Sequence, residues 1–398
     1  MKTLLTLALL TCVWVSCTNL VSAEFPPGFQ ELSIGDDAPE FKLPGIDGRD
    51  WTLKDFSEGK VLVVYFTSNH CPVCHAHDPR FVEMLRELKG QETKGQSIAV
   101  VAINPNSGDG LRPDELGYSK YNDSFEDMTP YAKEHGFTFP YLYDGATQAT
   151  AKRYGCLATP HVFVFDAQRK LQYKGRLDNS RYPDPSTVKE QDAKNAIVAL
   201  LADQPVPVQV TKPFGCSTKW REKIADVKRD EQEWQNTPVT LDDIDAAGLA
   251  KLVANDTEKY RLFNVWSTSC LPCLEEFPGL IAVSRRMGLR PFELITLSTD
   301  LPDDRERVRK FLSGYRAALP KRLEPSLKQE GRTSNNYLFT DPDADSLINT
   351  LDPEWEGPQP HTVLVAPGGK VVFRHNGKIS EEKLLTEILQ VMTETYQP

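Results

Sequence analysis

The sequence predicts an α/β protein of two domains, each a mixed β-sheet flanked by helices. The chain has 398 residues, 40% of them hydrophobic, which is too long for one ordinary core and sufficient for two. The pattern Cys-x-x-Cys occurs at Cys71 and again at Cys270, each time after an apolar run and before helix-like sequence. Nearly the same number of residues separates each pattern from a proline that precedes an apolar strand, at Pro160 and Pro360. We therefore expect one fold to occur twice.

The first copy reads as alternating strands and helices. A buried strand, Val61–Phe66, precedes the first cysteine pair, and a helix containing Pro79 follows it. The other elements predicted here are a strand at 97–103, helices at 125–135 and 148–154, strands at 161–165 and 171–175, and a helix at 188–201. Parallel strands followed by an antiparallel hairpin make a mixed sheet.

The second copy repeats this order of elements. Its predicted strands are 262–266, 292–298, 362–365 and 370–374, and its last predicted helix is 381–392. A charged, apolar-poor stretch separates the two copies. The predicted organisation is a first domain at 24–217, a linker at 218–237 and a second domain at 238–398.

Residues 1–23 read as a secretory signal peptide. Lys2 precedes an apolar stretch at 4–15, and small residues end at Ala23. We expect cleavage after Ala23 and export to the periplasm or out of the cell. A retained membrane anchor and a lipid-modified Cys17 are the alternatives, but the apolar stretch is shorter than the about 20 residues that span a bilayer. No stable membrane insertion is expected from the remaining sequence.

Charge and cysteine content limit the classes of partner and the chemistry that the sequence predicts. The 46 basic and 56 acidic residues form no long single-sign runs, so a nucleic-acid partner is not expected. In an oxidising compartment, an even set of cysteines usually pairs. The cysteines that follow the predicted signal form such a set: Cys71, Cys74, Cys156, Cys216, Cys270 and Cys273.

The two Cys-x-x-Cys patterns predict redox-active disulfides, Cys71–Cys74 and Cys270–Cys273. A cysteine at a helix N-terminus faces unpaired N–H groups and the positive end of the helix dipole, which lower its pKa from about 8.5 toward roughly 3.5 to 7. We expect Cys71 and Cys270 to attack a substrate disulfide. Cys74 and Cys273 would then resolve the mixed disulfide from one turn along the helix.

These motifs resemble thioredoxin-fold proteins in both halves. In the first, IGDDAPEFKLPGIDGRDWTL and FTSNHCPVC resemble the AhpC/TSA redoxins, in particular a peroxiredoxin-like subgroup that carries CxxC. In the second, FNVWSTSCLPCLEEFPGL is similar to TlpA-like thiol-disulfide oxidoreductases, with Glu276 and Pro278 at that family's glutamate and proline. The resemblance implies an enzyme that exchanges disulfides with protein substrates, chiefly as a reductant.

The resemblance also implies two cis-proline loops that bind substrate, at Thr159-Pro160 and Gln359-Pro360. One departure concerns proton transfer, because Tyr65 and Asn264 stand where thioredoxins often carry a buried aspartate. Asparagine is usual there in TlpA-like proteins. Tyr65 leaves the proton acceptor of the first domain unidentified.

Three other interpretations of CPVCHAH compete with the dithiol. The sequence Cys71 to His75 matches the c-type haem attachment pattern. Copper or zinc is a second alternative, with His70, His75 and His77 beside the two thiols as candidate ligands of a non-enzymatic metal-binding protein. Thiol peroxidase of peroxiredoxin type is the third, although the proline of the peroxiredoxin PxxxTxxC pattern is missing.

Cys156 and Cys216 lie outside the repeated pattern. A structural disulfide between them, two free buried thiols and a third redox pair all remain open. No bound cofactor is expected, because no GxGxxG turn for a nicotinamide or flavin is present. Electrons would therefore come from another thiol, and a membrane thiol reductant is the expected partner.

Overall fold

The computed structural model describes residues 25–89 and 97–393. The predicted signal peptide, 1–23, lies outside the described residues. Within them, the prediction of an α/β protein built from two mixed sheets with flanking helices is confirmed, because one sheet has five strands and the other has six. No helix in these two ranges is long and apolar enough to cross a membrane.

The first half contains the five-stranded sheet and two small pairs of strands. Its strands are β1 (Lys42–Pro44), β2 (Asp50–Thr52), β3 (Val61–Phe66), β4 (Ile98–Asn104), β5 (Tyr141–Tyr143), β6 (Ala158–Thr159), β7 (His161–Phe165), β8 (Leu171–Gly175) and β9 (Cys216–Ser217). Its α-helices are α1 (Pro72–Lys89), α2 (Phe125–Glu134), α3 (Ala149–Tyr154) and α4 (Asp192–Leu201).

The central sheet has the strand order β5-β4-β3-β7-β8. β5, β4 and β3 are parallel, whereas β7 and β8 are antiparallel to their neighbours. Every residue of β3 is buried because α1, α2 and α4 pack on one face of the sheet, while α3 and the N-terminal segment pack on the other. Burial on both faces explains why this strand is a continuous apolar run. The first dithiol follows this central strand.

The second half follows helix α5 (Ile224–Asn236). Its strands are β10 (Asp242–Ile244), β11 (Tyr260–Trp266), β12 (Phe292–Ser298), β13 (Asn336–Phe339), β14 (His361–Val365) and β15 (Val371–Asn376). Its helices are α6 (Ala246–Ala254), α7 (Leu271–Arg286), α8 (Arg305–Gly314), α9 (Glu324–Gln329), α10 (Ala344–Leu351) and α11 (Glu381–Thr393). The sheet order is β10-β13-β12-β11-β14-β15, so β12-β11-β14-β15 repeats β4-β3-β7-β8. In both halves the dithiol lies between a central strand and the helix that follows it.

The stretch predicted as a linker is largely helical. Thr218 and Lys219, at its start, are buried in the first half, and α5 occupies most of the rest. Glu231 on α5 forms a 2.6 Å ion pair with Arg285 of the second half. The two halves also meet directly, because Arg286 donates to the Ser119 carbonyl at 2.7 Å. The connection is therefore a docked helix between packed halves.

Candidate functional site

The first cysteine pair lies at the start of α1. Pro72 takes the first helical position, where a missing N–H costs nothing, so Cys71 directly precedes the helix and Cys74 lies in its first turn. Both side chains are fully buried and both are free thiols. The Cys71 Sγ lies 3.3 Å from the carbonyl oxygen of Thr159. The peptide bond that follows, Thr159–Pro160, is cis.

The two thiols differ in acidity. Burial raises the pKa of Cys71, but hydrogen bonds from Cys216 and Cys74 and the charge of His70 outweigh it, so the pKa falls well below the ordinary value. Burial, followed by the interaction with the Cys71 sulfur, raises the pKa of Cys74 well above that value. A thiolate beside a protonated thiol fits the roles of attacking and resolving cysteine.

The charge beside Cys71 is held by a buried ion pair. The Nδ1 atom of His70 lies 2.5 Å from Oδ2 of Asp123, and both side chains are buried. Asn106 Nδ2 donates to the same carboxylate oxygen at 2.7 Å, and the backbone N–H of Asn69 donates to the other at 2.7 Å. Burial lowers the pKa of His70, but the charge of Asp123 outweighs it and the pKa is raised. An imidazolium next to Cys71 stabilises the thiolate.

The other two histidines of CPVCHAH have different neighbours. His75 Nε2 lies 2.7 Å from the Asn69 carbonyl, and His77 Nε2 lies 2.6 Å from the Ser180 carbonyl. Burial lowers the pKa of each to about 4. The structure therefore does not bring His70, His75 and His77 together, and the described residues contain no group of three or more side chains positioned to hold a metal ion.

A carboxyl group near Cys74 comes from the helix. Asp78 is fully buried and accepts hydrogen bonds from Tyr65 at 2.7 Å, Thr67 at 3.0 Å and Tyr131 at 2.6 Å. Burial raises its pKa to about 6, and its charge contributes to the raised pKa of Cys74. Asp78 is therefore a candidate acceptor for the proton of Cys74. The sequence signal for it is its position four residues after Cys74, on the same helix face.

The second cysteine pair has a similar setting and is oxidised. Cys270 and Cys273 form a disulfide, and Cys270 caps α7 by accepting the Cys273 N–H at 3.3 Å. Cys273 is buried and Cys270 is half-buried, beside the exposed Leu271. This dithiol is therefore open to other molecules on the side of Cys270.

A buried glutamate follows the second pair by one helical turn. Glu276 accepts from Asn264 Nδ2 at 2.8 Å and from the backbone N–H of Ile379 at 2.9 Å. Burial raises its pKa. The cis peptide bond Gln359–Pro360 occurs in this half, and the Gln359 side chain donates to Thr299 Oγ1 at 2.7 Å. Each half therefore carries a buried carboxyl on the helix that begins at its cysteines.

The structure corrects the candidate disulfide between Cys156 and Cys216, because both are free thiols with different neighbours. Cys156 is buried, with its Sγ 3.4 Å from the Ala158 carbonyl, and the Thr218 hydroxyl donates to the Cys156 carbonyl at 3.0 Å. Cys216 packs instead against the Cys71 pair. No sequence pattern predicts this contact, because Cys216 is far from Cys71 along the chain.

Comparisons with known proteins agree with this chemistry. Residues 34–174 match the AhpC/TSA family. The thiol-disulfide oxidoreductase ResA of Geobacillus thermodenitrificans is 24% identical over 172 residues, which cover 43% of this chain and 83% of the relative.

Two solved structures are also similar to this chain. One, an uncharacterized conserved protein from Geobacillus kaustophilus, is 34% identical, with a TM-score of 0.41, covering 48% of this chain and 93% of that one. The other, a hypothetical protein from Sinorhizobium meliloti, is 31% identical, with a TM-score of 0.42, covering 48% of this chain and 96% of that one.

Proposed function

We propose that both CxxC pairs of this chain, which carries a thioredoxin-fold redoxin of AhpC/TSA type, exchange disulfides with protein substrates and act as reductants. The redoxin fold and the oxidoreductase relatives make the chain a thioredoxin-like thiol-disulfide oxidoreductase. The observation that carries the proposal for the first site is the pair of thiols at the start of α1. Cys71 has a lowered pKa and Cys74 a raised one. This difference separates the nucleophile from the resolving thiol.

In the proposed reaction, the Cys71 thiolate attacks one sulfur of a substrate disulfide and the other sulfur leaves as a thiolate. Cys74 then loses its proton to Asp78 and attacks the Cys71 sulfur. This step closes the Cys71–Cys74 disulfide and releases the second substrate thiolate. The substrate gains two electrons and the dithiol loses two. Thr159 and Pro160 lie beside the reacting sulfur and would position the substrate chain.

The second site follows the same sequence of steps with Cys270, Cys273 and Glu276. Its disulfide form is the one that an electron donor attacks, and the half-exposed Cys270 is the accessible sulfur. The exposed Leu271 and the loop at Gln359 and Pro360 would contact a protein substrate or donor. We propose export after Ala23, because an apolar stretch and small residues precede that position. We propose a membrane thiol reductant as donor, because the sequence contains no GxGxxG turn.

Disulfide reduction by the full chain tests this proposal. Insulin would be the substrate and dithiothreitol the electron donor, with Cys71→Ser, Cys270→Ser and the double variant compared with the wild type. We expect each single variant to lose part of the turnover and the double variant to fall to the uncatalysed rate. The matched control is Cys156→Ser, which should retain turnover because Cys156 lies outside both pairs. Turnover that persists in the double variant would refute the proposal.

Thiol peroxidase activity is a second candidate for the first site. The observation that favours it is the complete burial of Cys71, which a small oxidant reaches more easily than a protein disulfide does. Consumption of hydrogen peroxide by the wild type, abolished in Cys71→Ser and unaffected in Cys270→Ser, would establish this activity. Equal loss in both variants, or none, would exclude it.

A further inference from the structure

A short strand of the first half covers the edge beside Cys71. β9 pairs antiparallel with β6, and the register sets Cys216 opposite Thr159. The carbonyl of Thr159 is the group that lies 3.3 Å from the Cys71 Sγ. The two cysteines therefore flank the same residue. An extended peptide that pairs with β6 would have to occupy the place of β9, because adding a strand to a free edge is how such peptides bind.

The fit between this strand and the site is tight. Phe214 and Cys216 pack against Cys71, Val73 and Cys74, and Cys71 is fully buried. Residue 215, between Phe214 and Cys216, passes so close to β6 that a Cβ atom there would lie 2.0 Å from the Thr159 carbonyl oxygen. Glycine at 215 also has a φ of +147°, which other residues rarely adopt. The contact therefore depends on glycine.

Buried hydrogen bonds hold the chain that follows β9. Thr218 Oγ1 donates to the Cys156 carbonyl at 3.0 Å. The Lys219 N–H donates to Asn106 Oδ1 at 2.8 Å, and the Lys219 carbonyl accepts from Gln148 Nε2 at 2.9 Å. Thr218 and Lys219 are both buried. Cys216 is thus held in position over the dithiol by its anchored neighbours.

The second half lacks this cover. Among the described residues of that half, no strand pairs with the residue before Pro360, since β14 begins at His361 and its partners are β11 and β15. Cys270 is correspondingly half-buried, whereas Cys71 is fully buried. The chain therefore combines one open and one covered dithiol, and the covering strand contributes its own thiol.

We propose that Cys216 is a third redox-active cysteine of the first site, which forms a disulfide with Cys71, and that residues 214–218 occupy the substrate edge as an internal substrate strand. This inference deepens the proposed function and rests on it, because it requires Cys71 to be the attacking thiolate. It gives Cys71 two resolving partners, Cys74 on α1 and Cys216 on β9.

The proposed steps balance in atoms and electrons. The Cys71 thiolate attacks a disulfide RSSR, forms Cys71–S–S–R and releases RS⁻. Cys216 transfers its proton to that thiolate and attacks the Cys71 sulfur, which forms the Cys71–Cys216 disulfide and releases the second RS⁻. The two cysteines have then lost two electrons to RSSR. Attack by Cys74 on Cys71 subsequently regenerates the Cys216 thiol and forms the Cys71–Cys74 disulfide, with no net oxidation.

The acidity of Cys216 is consistent with this order of events. Its pKa is strongly raised, first because it donates a hydrogen bond to Cys71 and second because it is buried. Once the Cys71 sulfur is part of a mixed disulfide, it carries no charge and no longer accepts that bond. The first of the two causes then disappears, and ionisation of Cys216 becomes easier at the moment when it is needed.

Oxidation of a Cys74→Ser chain with oxidised glutathione tests the proposal. The chain is reduced, oxidised, alkylated and digested without reductant, and the disulfide-linked peptides are identified by mass spectrometry. We expect a Cys71–Cys216 peptide as the main product, with Cys156 alkylated in the same sample as an internal control. In Cys74→Ser with Cys216→Ser, we expect Cys71 to remain linked to glutathione.

Two negative results are distinguishable. Glutathione retained on Cys71 of the Cys74→Ser chain, with Cys216 alkylated, would overturn the inference and leave Cys71 as a nucleophile. Absence of any disulfide at Cys71, whether with glutathione or with Cys216, in a chain whose Cys71 reacts with iodoacetamide, would contradict the proposed function of the first site itself. Circular dichroism of the Cys74→Ser chain before oxidation establishes that it is folded, so either result is informative.

A second variant tests the covering strand without removing a thiol. Gly215→Ala should push β9 away from Thr159, so that iodoacetamide modifies reduced Cys71 roughly tenfold faster. The matched control is Gly136→Ala, which also replaces a glycine of positive φ (+69°) but has no atom within 4 Å of the added Cβ. Equal alkylation rates in the wild type and both variants would contradict the assignment of residues 214–218 as the cover.

Discussion

Replacement of Asp78 by asparagine separates the proton-transfer role of this residue from its role in packing. The carboxyl group is fully buried and accepts hydrogen bonds from Tyr65, Thr67 and Tyr131. Burial raises its pKa from 3.8 to about 6. Asparagine retains the shape but has no charge and takes up no proton. Asp78→Asn should therefore change both the pH dependence of stability and the rate at which Cys74 resolves a mixed disulfide.

The expected change in stability follows from the direction of the pKa shift. Because the pKa is higher in the folded chain than in the unfolded one, the stabilising contribution of Asp78 is fully present below pH 3.8 and is lost as the pH rises through 6. At about 1.4 kcal/mol per pH unit, this interval corresponds to a loss of about 3 kcal/mol in the free energy of unfolding. We expect the wild type to lose this amount relative to Asp78→Asn between acid and mildly alkaline pH.

The expected kinetic effect has the opposite sign at neutral pH. In the proposed reaction the ionised Asp78 accepts the proton of Cys74, and loss of a positioned base typically costs 10²-fold or more. On a Cys216→Ser background, where Cys74 is the remaining resolving thiol, we therefore expect Asp78→Asn to slow glutathione release from Cys71 by roughly that factor. Urea unfolding of the reduced chain at a series of pH values measures stability, and the pH profile of glutathione release measures resolution.

Asp144→Asn is the matched control for both measurements. Burial also raises the pKa of Asp144 to about 6, but its carboxylate accepts the backbone N–H of Ala151 at 2.7 Å, at the start of α3. It should show the same change in the pH dependence of stability with an unchanged rate of glutathione release. Parallel stability curves for the wild type and Asp78→Asn, together with equal release rates, would refute the reasoning.

Three further changes probe the rest of the site and the interface between the halves. Asp123→Asn removes the partner that keeps His70 charged, so the pKa of Cys71 should rise, as measured by the ultraviolet absorbance of the thiolate. An unchanged titration would contradict this. Glu276→Gln should flatten the pH profile of disulfide exchange in the second half, measured on a Cys71→Ser background. A pH profile equal to that of Cys71→Ser alone would contradict this prediction. Arg286→Ala removes a hydrogen bond between the halves and should weaken their docking by about 1 kcal/mol. We expect proteolysis within 218–237 to become faster, and an unchanged cleavage rate would contradict this.

The main elements of the fold could be predicted from sequence because their patterns are local. β3 is an unbroken apolar run, and a strand buried on both faces requires one. The nearly equal spacing of cysteines and prolines predicted the strand order that the two sheets share. The predicted boundaries differ by a few residues, since 97–103 was expected for β4 (Ile98–Asn104). Two-residue strands such as β9 have no periodicity to detect.

The residues that tune the first site could not be predicted in the same way. Asp78 lies on a helix, whereas the sequence prediction concerned a strand position, that of Tyr65. The Tyr65 hydroxyl instead donates a hydrogen bond to Asp78. Asp123 and Cys216 reach the site from other segments, and only the packing of the chain brings them there. The carboxyl in the second half was easier to recognise, because Glu276 matches a family pattern next to the cysteines.

Reduction potentials of the two cysteine pairs, measured in the full chain, test the central claim most directly. The chain is equilibrated in dithiothreitol buffers of graded ratio and alkylated, and the oxidised fraction of each pair is read by mass spectrometry. A protein-disulfide reductant with two active pairs predicts that Cys71–Cys74 and Cys270–Cys273 both titrate, with potentials near thioredoxin's value of about −270 mV. Potentials near about −120 mV, or a pair that does not exchange, would contradict the account.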